Sequence, residues 1–362
     1  MDLMSGEIAD IVHLQKRFSS EEGVKLLKSS DLIGLGVAAD RFCQELHPEP
    51  YRTYIIDRNI NYTNVCVSGC KFCAFYKDSD STDGYLISQD EIFKKIDETV
   101  QLGGRQILMQ GGLHPDLKIG FYLDLLRSIK MRFPVHIHSF SPPEIVYFSE
   151  LNDLPIREIL TLLKDAGLDT IPGGGAEILT DRCRDQLSPN KCSAKQWLQV
   201  MREAHGLGIR STATMMFGHI ETLEERITHL ESIRELQDDT GGFTAFIPWT
   251  FQPKNTPMAN SIGERVWHGI GGFDYLRTLA VSRLYLDNIP NIQASWVTQG
   301  PKIAQLALKF GANDLGSTMI EENVVKAAGV SYSMEKEEVA SLIESMGFEP
   351  VQRDCYYARL AG

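Results

Sequence analysis

The stretch Arg105-Gln-Ile-Leu-Met-Gln-Gly-Gly112 joins a short apolar run to a pair of glycines. A run of this length that ends in glycines predicts a buried strand followed by a tight turn. Before it, Ser88 and Glu91 form a capping-box pattern at the start of an apolar helical face. After it, a second helical pattern stops before Pro134, and another apolar run follows. The stretch therefore belongs to an alternation of helices and strands.

The same alternation extends over most of the chain and predicts an α/β fold. We expect eight strands separated by helices between residues 51 and 319, which is the order of a (βα)8 TIM-type barrel. An open doubly wound sheet would give the same alternation. We expect residues 1–50 to form an N-terminal helical extension and residues 320–362 a C-terminal extension packed on the barrel. The predicted strands are 51–60, 105–110, 135–140, 168–171, 210–217, 243–247, 292–296 and 313–315.

Charge and composition exclude several classes of protein. The formal net charge of −12 disfavours a nucleic-acid partner, because proteins that bind nucleic acids present a basic surface. The chain has no run of 18 apolar residues, so we expect no stable membrane insertion. Its N-terminus lacks the basic start and apolar core of a signal peptide. Four of the seven cysteines are dispersed without a disulfide framework, which favours a reducing, cytoplasmic location.

The other three cysteines stand together in Cys66-Val-Ser-Gly-Cys70-Lys-Phe-Cys73-Ala-Phe-Tyr76. A loop with this spacing can present three thiolates to one face of an iron–sulfur cube, which usually takes four cysteines. No fourth cysteine is nearby, so one iron would stay open to a small molecule, as in catalytic metal sites. The alternative is a zinc site, although zinc sites usually need a second Cys or His pair at short spacing.

This stretch resembles the signature of the radical S-adenosylmethionine (SAM) superfamily, C-x-x-x-C-x-aromatic-C. The resemblance implies a [4Fe–4S] cluster held by Cys66, Cys70 and Cys73, with SAM bound at the open iron. It implies that the glycine pair after the second strand binds the amino group of SAM. It also implies that a glycine-and-glutamate segment lies beside the adenine of SAM. The cofactor-binding residues that it implies are Phe72, Gly111, Gly112 and Gly218.

Titratable side chains at the predicted strand ends are further candidates. Glu177 follows three glycines, and its carboxylate can accept both hydroxyls of a ribose; the alternative is a carboxylate near a helix N-terminus. His136 and His138 stand two apart on one strand and therefore share a face. Together with His219 they are candidate catalytic bases, and the alternative is that they are hydrogen-bonded core residues. For a substrate carboxylate, Arg58 and Arg210 are candidate partners.

Longer stretches resemble the menaquinone and deazaflavin branch of the superfamily, including Gln110-Gly-Gly-Leu-His-Pro115 and Gly311-Ala-Asn-Asp-Leu-Gly316. Others, such as Ala294-Ser-Trp-Val-Thr-Gln-Gly300, resemble its members that cyclise dehypoxanthinyl futalosine. The resemblance implies that dehypoxanthinyl futalosine is the substrate, that its C4′ hydrogen is abstracted, and that the ring closes onto the benzoate. It also implies an external low-potential electron donor such as flavodoxin or ferredoxin, and we consider a homodimer. The alternatives are aminofutalosine synthase, the FO synthase subunit, or a non-catalytic iron–sulfur or zinc protein.

Overall fold

Parallel strands surrounded by helices form the centre of the molecule. The computed structural model describes residues 17–259, 270–330 and 332–360. The described strands are β1 (Tyr51–Ile55), β2 (Asn59–Asn61), β3 (Gln106–Gln110), β4 (His136–Ser139), β5 (Thr170–Ile171), β6 (Arg210–Phe217), β7 (Phe243–Thr250), β8 (Asn291–Ile292), β9 (Asp314–Ser317) and β10 (Glu349–Gln352). The described helices are α1 (Ser20–Lys28), α2 (Leu32–Leu46), α3 (Gln89–Gln101), α4 (Ile119–Arg132), α5 (Pro142–Asn152), α6 (Ile156–Ala166), α7 (Asp181–Leu187), α8 (Ala194–Gly206), α9 (Leu223–Thr240), α10 (Gly272–Tyr285), α11 (Trp296–Gln299), α12 (Pro301–Ala307), α13 (Val324–Ala327) and α14 (Lys336–Ser345).

The strands close into a barrel through the segment 51–61, which takes part in two sheets. β2 begins a seven-stranded sheet that runs in chain order to β8, while β1 lies between β9 and β10. A parallel bridge between Gln293 and Asp314 joins the end of β8 to β9. The backbone N–H of Thr318 then donates to the carbonyl of Ile55, which continues the pairing with the first strand. This closure confirms the predicted α/β barrel and excludes the open sheet.

The predicted first strand, 51–60, is two strands in the structure. β1 pairs with β9 and β10, whereas β2 pairs with β3. The C-terminal strand β10 therefore lies beside β1 at the base of the barrel. This is the same position that β3 takes beside β2. The prediction of a single strand was wrong because the chain changes its hydrogen-bonding neighbour between Ile55 and Asn59.

Helices α1 and α2 pack outside the barrel against α10 and α9. Ser19 and Glu22 form a capping box at the start of α1, since each backbone N–H is bonded to the other residue's side chain, at 2.8 and 3.2 Å. Leu26 and Leu35 are fully buried under these helices. Residues 1–16 of the predicted helical extension lie outside the described residues.

Two further differences concern loops near the strand ends. Helices α5 and α7 were not predicted, and both follow strands whose C-terminal ends face the site described below. The predicted strand 292–296 ends at Ile292, because the Ser295 N–H donates to the Tyr275 hydroxyl at 2.7 Å and Trp296 begins α11. None of the described helices combines the length and hydropathy needed to cross a bilayer.

Candidate active site

A cavity of about 280 Å³ lies inside the barrel. Residues at the C-terminal ends of the strands line its upper part, and the active sites of such barrels lie at these ends. Its base is lined by Arg353, Cys355 and Tyr357, which follow β10. The C-terminal extension therefore closes the lower end of the barrel and contributes side chains to its interior. Other lining side chains are Asn59, Gln106, Gln110, His138, Thr212, Thr214, Trp249, Gln293, Ser295 and Glu322.

The cysteine loop, residues 66–76, lies after the end of β2. Its backbone is held at both ends, because the Cys66 N–H donates to the Lys77 carbonyl at 3.0 Å and the Val67 N–H to the Leu113 carbonyl at 3.1 Å. Burial raises the pKa of the Cys70 thiol to about 11. A thiol is deprotonated when it coordinates a metal, and the positive charge of Lys191 opposes the rise in this pKa.

The three cysteines of this loop fit a polynuclear cluster better than a single ion. All are free thiols, and they lie close enough for Cys66 and Cys70 each to interact electrostatically with Cys73. Within the residues that the structure describes, no three His, Cys, Asp or Glu side chains are grouped to hold one metal ion. Sulfur ligands of one zinc ion all lie about 2.3 Å from it, whereas cubane thiolates can be farther apart, since they bind different irons.

Two glycines bring the end of β3 into contact with the cysteine loop. A Cβ on Gly112 would lie 2.1 Å from the carbonyl oxygen of Val65, and one on Gly111 would lie 2.4 Å from the ring of Tyr62. The Gly111 N–H donates to Glu144 at 3.1 Å, and the Tyr62 hydroxyl donates to the same oxygen at 2.7 Å. Both positions therefore require glycine, and Glu144 holds this turn in place.

Glu144 was not among the predicted site residues. It lies in the first turn of α5, where its other oxygen accepts the N–H and the hydroxyl of Ser141, both at 2.7 Å. This capping box was readable from the sequence, since Ser141 and Glu144 have the required spacing. The position of Glu144 under Gly111 depends on the packing of α5 against the barrel and had no local signal.

Glu177 and Lys191 form a buried ion pair beside the cysteine loop. Their side-chain atoms lie 2.9 Å apart, and the two side chains are 6% and 13% exposed. The Lys191 ammonium also lies 5.3 Å from the centre of the Phe72 ring. Burial lowers the pKa of Lys191, but the charges of Glu177 and Cys70 outweigh it and raise that pKa. The sequence had not indicated Lys191, whose cation stands next to the cysteine motif.

The second carboxylate oxygen of Glu177 is available to a ligand. It is buried and, in the described part of the chain, has no hydrogen-bond partner; the nearest guanidinium nitrogen of Arg184 is 3.9 Å away. The backbone of Glu177 has a φ of +41°, a left-handed value that is uncommon outside glycine. A buried acceptor without a partner is costly, and a ribose hydroxyl of SAM would satisfy it.

Gly218 and His219 form a turn organised by Glu221. The carboxylate accepts both backbone N–H groups, at 2.6 and 2.9 Å, and pairs with Arg226 at 2.9 Å. Burial raises the pKa of Glu221, but the hydrogen bond from His219 and the nearby positive charges lower it to about 2. The ring nitrogens of His219 contact the Met216 carbonyl and the Ile220 N–H. His219 does not line the barrel cavity, so this geometry favours a structural role for it.

His136 and His138 share one face of β4, as predicted, and that face points into the barrel. His138 lines the main cavity, whereas His136 lines a small cavity of about 20 Å³ at the base. Each ring has one nitrogen 2.7 Å from the hydroxyl of Thr170 on β5. Burial, together with His136 and Arg353, lowers the pKa of His138 to about 3, so this imidazole is neutral.

Several predicted residues come together in space and others do not. The cysteine loop contains the three cysteines and Phe72, and the glycine pair and Glu177 lie beside it. His138 lines the barrel cavity. Arg58 instead pairs with Glu98 at 2.8 Å, and Arg210 is exposed and donates to the Gly241 carbonyl. Neither arginine lines the cavity, because β1–β2 and the start of β6 direct them away from the barrel interior.

Two family models match the chain. Residues 60–233 match the radical SAM superfamily, and residues 240–361 match the CofH/MqnC C-terminal region. The first match covers the cysteine loop, the glycine pair, Glu177 and β6. The second covers the strands β7 to β10 and hence the base of the barrel cavity.

Curated relatives cover nearly the whole chain. A cyclic dehypoxanthine futalosine synthase from Halalkalibacterium halodurans is 47% identical over 94% of this chain and 91% of its own. An aminodeoxyfutalosine synthase from Thermus thermophilus is 42% identical over 97% and 94%. A 5-amino-6-(D-ribitylamino)uracil–L-tyrosine 4-hydroxyphenyl transferase from Methanopyrus kandleri is 43% identical over 84% and 83%.

Solved structures support the fold independently. The FeFe-hydrogenase maturase HydG from Carboxydothermus hydrogenoformans matches with a TM-score of 0.75 at 14% identity, over 97% of this chain and 80% of that one. Radical SAM enzymes use a [4Fe–4S] cluster and SAM, and the free cysteines, the unpartnered Glu177 oxygen and the glycine contacts fit both. The chain therefore belongs to the radical SAM superfamily and is an enzyme of the group that carries the CofH/MqnC C-terminal region.

Proposed function

We propose that this enzyme converts dehypoxanthinyl futalosine to cyclic dehypoxanthinyl futalosine in menaquinone biosynthesis. The observation that carries this choice is the 47% identity, over 94% of the chain, to a cyclic dehypoxanthine futalosine synthase. The aminodeoxyfutalosine synthase and the transferase follow at 42% and 43%. An aminodeoxyfutalosine synthase is the second candidate, because its match covers 97% of the chain and that of the transferase covers 84%.

The barrel cavity suits an intramolecular ring closure. The [4Fe–4S] cluster and SAM, when bound, supply a 5′-deoxyadenosyl radical that removes a hydrogen atom from the substrate. The chain's own task is to hold C4′ of the ribose and the benzoate ring in reacting geometry, since positioning accounts for much of the rate in such steps. The C-terminal extension closes the base of the cavity and so limits the access of water.

We assign the site residues as follows. Cys66, Cys70 and Cys73 hold the [4Fe–4S] cluster, and Glu177 accepts the ribose hydroxyls of SAM through its unpartnered oxygen. Phe72, the Gly111–Gly112 pair and Gly218 complete the cofactor pocket. Lys191 neutralises Glu177 and lies beside the cysteine loop.

His138 is the base that we favour among the three histidines. It lines the cavity, whereas His136 lies below it and both ring nitrogens of His219 are engaged elsewhere. A base in the cavity is needed to take the proton that leaves the benzoate ring after closure.

Neutral hydrogen-bond donors are the best candidates to bind the substrate carboxylate. Arg353 is the only lysine or arginine among the described residues that line the cavity, and its guanidinium is already bound to Asp314 at 2.6 and 3.0 Å. The amide groups of Gln110 and Gln293 line the same cavity and can donate to a carboxylate.

The remaining partners follow from the chemistry. Reductive cleavage of SAM needs a low-potential electron donor, for which we propose an external flavodoxin or ferredoxin. We propose a cytoplasmic location, since seven free thiols and an oxidation-sensitive cluster require reducing conditions. A homodimer is also part of this proposal.

A substrate panel under anaerobic conditions tests the proposal. The reconstituted enzyme, with dithionite and SAM, is given dehypoxanthinyl futalosine or the substrates of the two related enzymes, and products are followed by mass spectrometry. We expect a product two hydrogens lighter than dehypoxanthinyl futalosine. Turnover of another substrate instead would reassign the enzyme to the corresponding relative.

A further inference from the structure

A threonine joins two histidines into a continuous hydrogen-bonded chain at the base of the barrel. Nδ1 of His138 and Nε2 of His136 each lie 2.7 Å from Oγ1 of Thr170. Thr170 is 2% exposed, so water does not compete for its hydroxyl. This hydrogen-bonded chain begins at the main cavity, which His138 lines, and ends at the small basal cavity, which His136 lines.

The hydroxyl of Thr170 gives this chain a direction. A hydroxyl has one proton, so it donates to one imidazole nitrogen and accepts from the other. If Nδ1 of His138 carries hydrogen and donates to Thr170, the threonine donates to Nε2 of His136. Nε2 of His138 is then an unprotonated acceptor, and the described residues offer it no hydrogen-bond partner. This tautomer leaves an open base toward the substrate.

The surrounding charges favour movement of a proton from His138 to His136. Burial is the main cause that lowers the pKa of both rings, and for His138 the charges of His136 and Arg353 lower it further. For His136, Asp169 and Asp354 act in the opposite direction, while Lys130 again lowers the pKa. A proton is therefore stabilised more at the base of the barrel than beside the cavity.

We propose that His138, Thr170 and His136 carry the proton released in ring closure from the barrel cavity to the small cavity at the base. After C4′ has bonded to the benzoate ring, the ring carbon loses its hydrogen as a proton and an electron. The electron passes to a one-electron acceptor of the iron–sulfur or flavin class. The proton binds Nε2 of His138, the Nδ1 proton moves to Thr170, and the threonine proton moves to Nε2 of His136. His138 is the catalytic residue, and Thr170 and His136 act through it as positioning residues.

This inference rests on the proposed function and is tested by separating two products. Thr170→Val removes the hydroxyl and keeps the β-branched shape, whereas Thr170→Ser keeps the hydroxyl and is the matched control. We expect Thr170→Val still to form 5′-deoxyadenosine in the first turnover, because hydrogen abstraction precedes the proton transfer. The ratio of cyclic product to 5′-deoxyadenosine should fall by at least about tenfold, as expected for loss of a proton-transfer group, and Thr170→Ser should keep it.

Two results would contradict this proton relay through His138, Thr170 and His136. An unchanged product ratio and an unchanged solvent deuterium isotope effect in Thr170→Val would contradict it. An equal loss in Thr170→Val and Thr170→Ser would indicate a structural role instead. If Thr170→Val does not fold, His136→Asn interrupts the same chain one residue later and should lower the ratio similarly; a wild-type ratio in His136→Asn would contradict the relay.

A second readout does not depend on turnover. In the metal-free protein labelled with ¹⁵N-histidine, we expect Thr170→Val to shift the imidazole nitrogen signals of both His136 and His138, because they share one hydroxyl. Unchanged signals would overturn the hydrogen-bonded chain. Absence of cyclic product from the wild-type enzyme would instead overturn the proposed function and leave this measurement valid.

Discussion

Cys70 is buried, whereas Cys66 and Cys73 are half-buried. We expect Cys70→Ala to lose the [4Fe–4S] cluster and all cleavage of SAM, because two thiolates cannot hold the three irons that need protein ligands. Iron content after anaerobic reconstitution and the yield of 5′-deoxyadenosine measure both effects. Cys183→Ala is the control, since Cys183 is fully buried within α7 and is not part of the cysteine motif, and this variant should load iron normally. Retained SAM cleavage in Cys70→Ala would contradict the assignment.

Arg353 is the second residue whose loss should be severe. It forms a two-bonded ion pair with Asp314, and the two side chains are 5% and 0% exposed. Arg353→Met leaves a buried carboxylate without its cation, which should lower the free energy of unfolding by about 3–5 kcal/mol. Arg359→Met breaks only an exposed pair with Glu349 and should change it by about 1 kcal/mol or less. Urea unfolding of the metal-free variants measures both, and equal losses would contradict this account.

The residues that the sequence revealed are those whose signal is local. The cysteine motif and the glycine pair are read within a few positions, and the structure places them in contact. Lys191 and Arg353 gave no signal, because their carboxylate partners are 14 and 39 residues away in the sequence. Their function as buried counter-ions exists only after the strands have closed into a barrel.

The contact between β3 and the cysteine loop is the element on which cofactor binding depends. Gly112→Ala would place a methyl group 2.1 Å from the Val65 carbonyl and push the loop away from the strand end. We expect iron loading to fall strongly, with a smaller effect on the melting temperature of the metal-free protein. Gly120→Ala is the matched control, because a Cβ there meets nothing within 4 Å and alanine suits the first turn of α4. Equal iron loading in both variants would contradict this contact.

The order of strands and helices was predictable, but several elements were not read correctly, among them the segment 51–60 and helix α5. Segment 51–60 has continuous strand character, and nothing local signals that its pairing partner changes from β10 to β3. Helix α5 did have a readable start, since a serine, two prolines and a glutamate form a capping box with proline at the first helical position. It was missed because its apolar face is not periodic enough to resemble an amphipathic helix.

At the scale of the whole molecule, buried neutral histidines make stability depend on pH. Burial lowers the pKa of His229 from 6.5 to about 3, so between these values the unfolded chain binds one proton more than the folded one. Stability is therefore lost as the pH falls through this window, by about 1.4 kcal/mol per pH unit for this residue. We expect His229→Gln to lack this component, so its free energy of unfolding should decline less steeply between pH 6 and 4. Parallel curves for variant and wild type would contradict it.

The barrel is predictable as a whole because strand–helix alternation of this length has few compact solutions. The division at residues 50 and 319 stays a prediction, and the structure adds that residues after β10 line the interior of the barrel. The extension is thus part of the cavity, which the sequence could not indicate, since the pairing of β10 with β1 joins opposite ends of the chain.

The central claim is that a radical formed at the cysteine loop removes the C4′ hydrogen of a substrate held in the barrel cavity. The most direct measurement uses dehypoxanthinyl futalosine labelled with deuterium at C4′, followed by mass spectrometry of 5′-deoxyadenosine. We predict that the deuterium appears in 5′-deoxyadenosine and that cyclic product forms in equal amount. Unlabelled 5′-deoxyadenosine formed alongside unchanged substrate would contradict this account.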